Sequence, residues 1–207
     1  MFERFAATFA VDVLSRRTAW LHPRLCSAIG YDALIAAYGG CGFERGLYRL
    51  HSAETGPTGQ SAAAEAFPHF AGDAVVFAYD WLGRQFALLS NLETTSRVVM
   101  LDHATGQSFD IAGDLTAFHN VELVDHPNEA LAAQMFTQWC NAQPPGTLLQ
   151  PGQCVGFAVP LFLGGQDTVE NLKLTDLSVD WEFSIQLRRQ MAASPDGTKI
   201  RNVTIEE

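Results

Sequence analysis

The chain has 207 residues, 47% of them hydrophobic and 17% charged, with a formal net charge of −10. That composition excludes a disordered chain, and folding at this length buries about 70% of the unfolded surface, enough for a sizeable core. The acidic balance repels phosphate backbones, so nucleic acid is not an expected ligand and a basic protein is the natural complement.

No apolar run reaches the roughly 18 residues of a membrane span, so no membrane association is expected. The short apolar stretch that begins at Phe5 ends at Asp12 without a cleavage signature, which makes a poor signal peptide and points to a cytoplasmic protein. Cys26, Cys41, Cys140 and Cys154 lie far apart with no C-x-x-C pair. They are expected as reduced thiols, with no metal site and no cofactor.

In chain order, Phe2, Phe5, Phe9 and Val13 recur at three and four residues, which predicts a core-anchoring helix ending near Arg16 and Arg17. His22-Pro23 breaks that pattern. A second helix is expected from Ser27 to Tyr38, stopped by a left-handed cap at Gly39-Gly40. Gly46 to Leu50 reads as a strand. Residues 52 to 62 are polar with Gly and Pro, which predicts a loop and a possible subdomain boundary within a single 1–207 domain. A short Ala-rich helix closes at Phe67-Pro68. The Gly-Gly-x-Gly at 39–42 lacks the Lys-Ser/Thr and the following helix of a phosphate loop.

The central stretch is 72–90. Two runs, Ala74 to Tyr79 and Gln85 to Leu89, flank a turn containing Gly83, which predicts a β-hairpin with Trp81 packed at its turn. Arg97 to Leu101 and Gln107 to Ala112 form a second strand pair around Gly106, giving a four-stranded antiparallel meander. Asp114 is placed to cap a helix carrying Leu115, Phe118 and Leu123. Pro127 opens another helix, with Leu131, Met135, Phe136 and Trp139 on one face. A Pro-rich loop follows from Asn141 to Gly152. Beyond it come an apolar segment interrupted by Pro160, a strand from Leu172 to Leu177, and a helix from Val179 to Met191. A turn at Pro195-Asp-Gly197 and a last strand from Lys199 to Ile205 are expected to finish the chain. The fold class is therefore α+β, a central mostly antiparallel meander with helices packed mainly on one face.

Tyr79-Asp-Trp-Leu-Gly-Arg-Gln-Phe-Ala87, followed at a distance by Cys154 to Leu172, resembles the SUKH superfamily, and more closely its Tdi-type immunity proteins. Gly46-Leu-Tyr-Arg49 and Val179-Asp-Trp181 fit the same pattern, so the resemblance spans roughly 28–205. It implies a protein that binds and neutralises a cognate toxin, a DNase delivered by type VI secretion, without catalysis. The recurrent Trp, Gly and Pro positions of that pattern are structural.

The charge pattern offers a second line of argument. From residue 98 to 172 there is no Lys or Arg, while Asp102, Asp110, Asp114, Glu122, Asp125, Glu129, Asp167 and Glu170 all fall in that interval. These eight acids are the candidate partner-binding residues for a basic toxin, although an acidic surface also serves solubility alone. No catalytic residues are assigned. The enzyme alternative rests on His103, His119 and His126, which share the acidic stretch, but there is no H-E-x-x-H, G-x-S-x-G or H-x-D pattern. A regulatory or scaffold binding module without a toxin is the other alternative.

Overall fold

The computed structural model describes residues 1–12, 17–89 and 96–192. A six-stranded antiparallel sheet runs in sequence order through β1 (Gly42–Phe43), β2 (Tyr48–Leu50), β3 (Ala74–Asp80), β4 (Gln85–Leu89), β5 (Arg97–Asp102) and β6 (Gln107–Ala112). The four strands expected between 74 and 112 are all present, and β1 and β2 extend the meander beyond β3. Every residue of β3 is buried. It is a central strand covered on both faces, so its sequence reads as a continuous apolar run and not as an alternation. A bulge between Val76 and Ala78 shifts the register, and Phe77 and Ala78 both enter the larger hydrophobic cluster.

That larger cluster lies under most of the helices: α1 (Glu3–Thr8), α2 (Pro23–Cys26), α3 (Tyr31–Tyr38), α5 (Leu115–Ala117), α6 (Leu123–Asp125), α7 (Pro127–Leu131) and α8 (Ala133–Ala142). The opposite sheet face carries a smaller cluster in which Val76, Tyr79, Val99 and Leu101 meet α4 (Thr55–Ala66) and α9 (Leu177–Ala192). A separate two-stranded antiparallel sheet, β7 (Gln153–Phe157) and β8 (Leu172–Asp176), leads into α9.

Four expected elements differ. The N-terminal helix stops at Thr8, because residues 10–12 turn extended and pair with the strand at Phe43. The Glu44 N–H donates to the Ala10 carbonyl, and the Asp12 N–H to that of Gly42. Val13 and Arg16, the expected end of that helix, lie outside the described residues. The Ser27–Tyr38 helix is two pieces, α2 and α3, separated at left-handed Gly30. It does end at Tyr38, with Gly40 and not Gly39 in the left-handed region.

The predicted 52–62 loop is mostly the first two thirds of α4. Pro57 sits in the first turn, where no intrahelical N–H is lost. The Ser52 hydroxyl accepts from the N–H groups of Glu54 and Thr55. Gly56 and Gly59 are there for close approach, since a Cβ on Gly56 would stand 2.3 Å from the Trp20 ring. The Pro127 helix breaks at Ala132, which has φ of +49°, so Leu131 ends α7 while Phe136 and Trp139 belong to α8. The expected turn at 195–197 and strand at 199–205 lie outside the described residues.

Candidate functional site

The β3–β4 turn is the point where the meander grips the rest of the chain. Asp80 is fully buried, and its carboxylate accepts from the Leu82 and Arg84 N–H groups and pairs with the Arg84 guanidinium at 2.6 Å. Burial raises the Asp80 pKa and the Arg84 charge partly offsets that rise. Arg84 reaches on to the Ala130 carbonyl. Trp81 is completely buried against both Phe136 and Trp139, and its indole N–H donates to the Leu131 carbonyl at 2.8 Å. From the other side the Trp181 indole donates to the Gly83 carbonyl at 2.7 Å, and the Val155 N–H donates to the Trp81 carbonyl. Gly83 has φ of +76° with Cys154, His103 and Leu177 packed against it. The Tyr79–Ala87 motif is thus a clamp joining the sheet to α7, β7 and α9, and its residues act in folding.

Histidines of the acidic stretch are equally committed. His119 is fully buried, with Nδ1 at 2.7 Å from the Leu115 carbonyl, so that nitrogen carries the proton and Nε2 accepts from the Tyr48 hydroxyl at 2.9 Å. The imidazole takes over the i−4 carbonyl, and the helix widens into a π-helical turn at Phe118–Glu122. Burial lowers the His119 pKa to about 4. His103 is buried, stacks on Trp181 with ring centroids 4.9 Å apart, and faces Asp180 at 2.6 Å. His126 is exposed at the start of α7.

All four cysteines are free thiols, and burial pushes the Cys154 thiol well up, which makes it a poor nucleophile. Among the described residues, no three or more His, Cys, Asp or Glu side chains are placed to hold a metal ion.

The eight acids divide by what they touch. Asp102 is 9% exposed and accepts from the Ala104 and Thr105 N–H groups of the β5–β6 turn. Asp114 caps α5 through the Ala117 N–H at 2.7 Å. Asp110 pairs with Arg97 on the neighbouring strand at 3.1 Å. Asp125 takes both guanidinium nitrogens of Arg4, at 2.9 and 2.6 Å, which lowers its pKa. Glu122, Glu129, Asp167 and Glu170 meet no cation among the described residues, and the last three are exposed.

Asp167 and Glu170 line a groove of about 500 Å³ against α8, together with Gln134, Met135 and Gln138. The groove brings these two acids of the 166–170 segment against α8; the other six candidates, Glu129 of α7 among them, do not line it. Gln134 and Gln138 were not singled out from sequence. Their i,i+4 spacing on the face opposite Phe136 and Trp139 was the available signal.

Residues 120–188 match the model of the family described as T6SS immunity protein Tdi1, C-terminal. The match contains Cys154–Leu172 and Val179–Trp181 and leaves Tyr79–Ala87 and Gly46–Arg49 outside it. The crystal structure of Atu4351 from Agrobacterium tumefaciens has a similar fold, with a TM-score of 0.59 and 17% identity over 90% of this chain and 89% of that one. No curated protein sequence matches.

Proposed function

From a C-terminal third that matches the immunity proteins of the Tdi1 type, we propose that this chain is a type VI secretion immunity protein of SUKH-like build that binds and neutralises a cognate toxin, a nuclease, without catalysis. The observation that carries this reading is the coincidence of two independent features. The family match at 120–188 contains Glu122, Glu129, Asp167 and Glu170, the four candidate acids that neither pair with an arginine nor hold a turn or helix end. A nuclease presents a basic surface to its substrate backbone, and a cation-free acidic face is its electrostatic complement. The groove beside α8 gives that face relief, with amides at Gln134 and Gln138 able to bond a docked backbone. Surface acids in water keep their charge at neutral pH, so attraction reaches beyond contact and raises the capture rate by about 10- to 1,000-fold at low salt.

The chain acts in the cytoplasm, where an incoming nuclease meets its target, and no helix among the described residues is long and apolar enough to cross a membrane. The test is survival of cells producing a candidate nuclease toxin, taken from the genes neighbouring that of this chain. Parent protein is expected to restore growth, and the triple variant Glu129→Lys, Asp167→Lys, Glu170→Lys to restore it only at higher expression. No protection by the parent against that toxin contradicts the proposal.

A further inference from the structure

β7 and β8 form an antiparallel hairpin whose last rung joins Phe157 to Leu172. Hairpins are ordinarily closed by about two to five residues. Here residues 158–171 lie between the strands, with single 3₁₀ turns at Leu161–Leu163 and Val169–Asn171. Loops of that length inside a compact domain are usually functional.

One side chain closes this loop. The carboxamide of Asn171 has the donor and acceptor of a peptide group, and it adds one more rung opposite Val159. Its Oδ1 accepts from the Val159 N–H at 2.9 Å, and its Nδ2 donates to the Val159 carbonyl at 2.8 Å. The same Nδ2 reaches the Gln166 carbonyl at 2.9 Å, and the Ala158 N–H donates to the Asn171 carbonyl at 2.7 Å. Gly165 is drawn in so closely that a Cβ there would collide with the Val159 carbonyl oxygen. With its ends tied and Gln166 held to them, the segment is an Ω-loop.

Just beyond Gln166 the loop presents exposed Asp167 and Glu170 along the groove of α8, while Val169 between them packs on the larger hydrophobic cluster. The Glu170 N–H and the Thr168 hydroxyl lower the Glu170 pKa, so that side chain is charged at neutral pH. The Asn171 side-chain bonds lie at the exposed surface, where a hydrogen bond adds little to global stability. Three of them on one side chain are better explained by the shape they impose. We propose that Asn171 is the positioning residue of the toxin contact. Its carboxamide holds the 158–171 loop in the form that sets Asp167 and Glu170 against α8 before the toxin arrives, so docking needs no ordering of the loop. This role rests on the toxin reading and specifies its geometry: the charges bring the nuclease in, and Asn171 decides how long it stays.

Binding kinetics of the full chain with the purified candidate toxin of the growth assay, at low and at physiological salt, test it. Asn171→Ala is expected to dissociate faster by about tenfold or more. Its association rate and salt dependence are expected to stay within about threefold of the parent's, because the acids keep their charge. Amide exchange of the free chain is expected to show Val159 less protected in that variant by at least about tenfold. Asn120→Ala controls for a merely structural role: Asn120 accepts from the Phe5 N–H and donates to the Met1 carbonyl in the same manner, but does not line the groove. It is expected to dissociate like the parent. Gly165→Ala, whose methyl forces the same loop apart, carries the test if Asn171→Ala does not fold. Parental dissociation by the loop variant, or equal acceleration by Asn120→Ala, overturns the role of Asn171 and leaves the toxin reading standing. Absence of binding by the parent overturns both.

Discussion

Trp81 shows how one side chain holds distant parts of the chain together. It packs against both Phe136 and Trp139 and satisfies the Leu131 carbonyl at the end of α7. Trp81→Ala removes that volume and leaves a buried carbonyl without its donor, so chemical denaturation should show a loss of about 3–5 kcal/mol. A variant that unfolds like the parent but fails to protect would place Trp81 in a binding surface.

The buried histidines set the acid response. His119 and His51 have folded-state pKa values lowered to about 4 and about 3, below the 6.5 of an unfolded chain. A group with a depressed folded pKa contributes stability that is present above the unfolded value and is lost as pH falls toward the folded one. Unfolding free energy should therefore drop between about pH 6.5 and pH 4, by up to roughly 1.4 kcal/mol per pH unit for each histidine. A flat urea midpoint over that range would contradict the neutral buried rings.

At the scale of elements, α4 carries the sharpest contrast between propensity and packing. Gly56→Ala should raise helix propensity by about 1 kcal/mol, yet its methyl meets the Trp20 ring at 2.3 Å. Overpacking outweighs propensity here, and a lower melting temperature is expected. A higher one would show that Trp20 yields easily.

The same helix explains what the sequence concealed. Gly, Pro, Thr and Ser at 52–62 carry the local signature of a loop, and only the neighbours Trp20 and His51 reveal that the glycines make space. The Phe2–Phe9 repeat was legible as a core face, but the strand pairing that ends its helix at Thr8 depends on Phe43, which is far away in sequence. Ala132 gave no warning of its left-handed backbone. By contrast, the hairpins at 74–89 and 97–112 were legible because their strand composition and their turn glycines agree locally. Of the candidate acids, the sequence identified which carry charge and not which are already paired: Arg4 reaches Asp125 across a sequence separation of 121 residues.

At the scale of the whole molecule, net charge of −10 is distributed unevenly, with cations absent from 98–172. Asp102 and Asp114 hold a turn and a helix end, so replacing them tests stability more than docking. Glu129, Asp167 and Glu170 are exposed and unpaired with cations among the described residues, and their reversal to Lys should change the melting temperature little, since surface substitutions stay within about 0.5 kcal/mol each.

The most direct measurement is the association rate of the purified cognate toxin with the parent and with this triple variant, at low and at physiological salt. A steered encounter predicts a fast parent rate that falls with salt, and a variant slower by about tenfold or more with a flatter salt dependence. Equal rates for parent and variant at both salt concentrations would contradict docking through the acidic face beside α8.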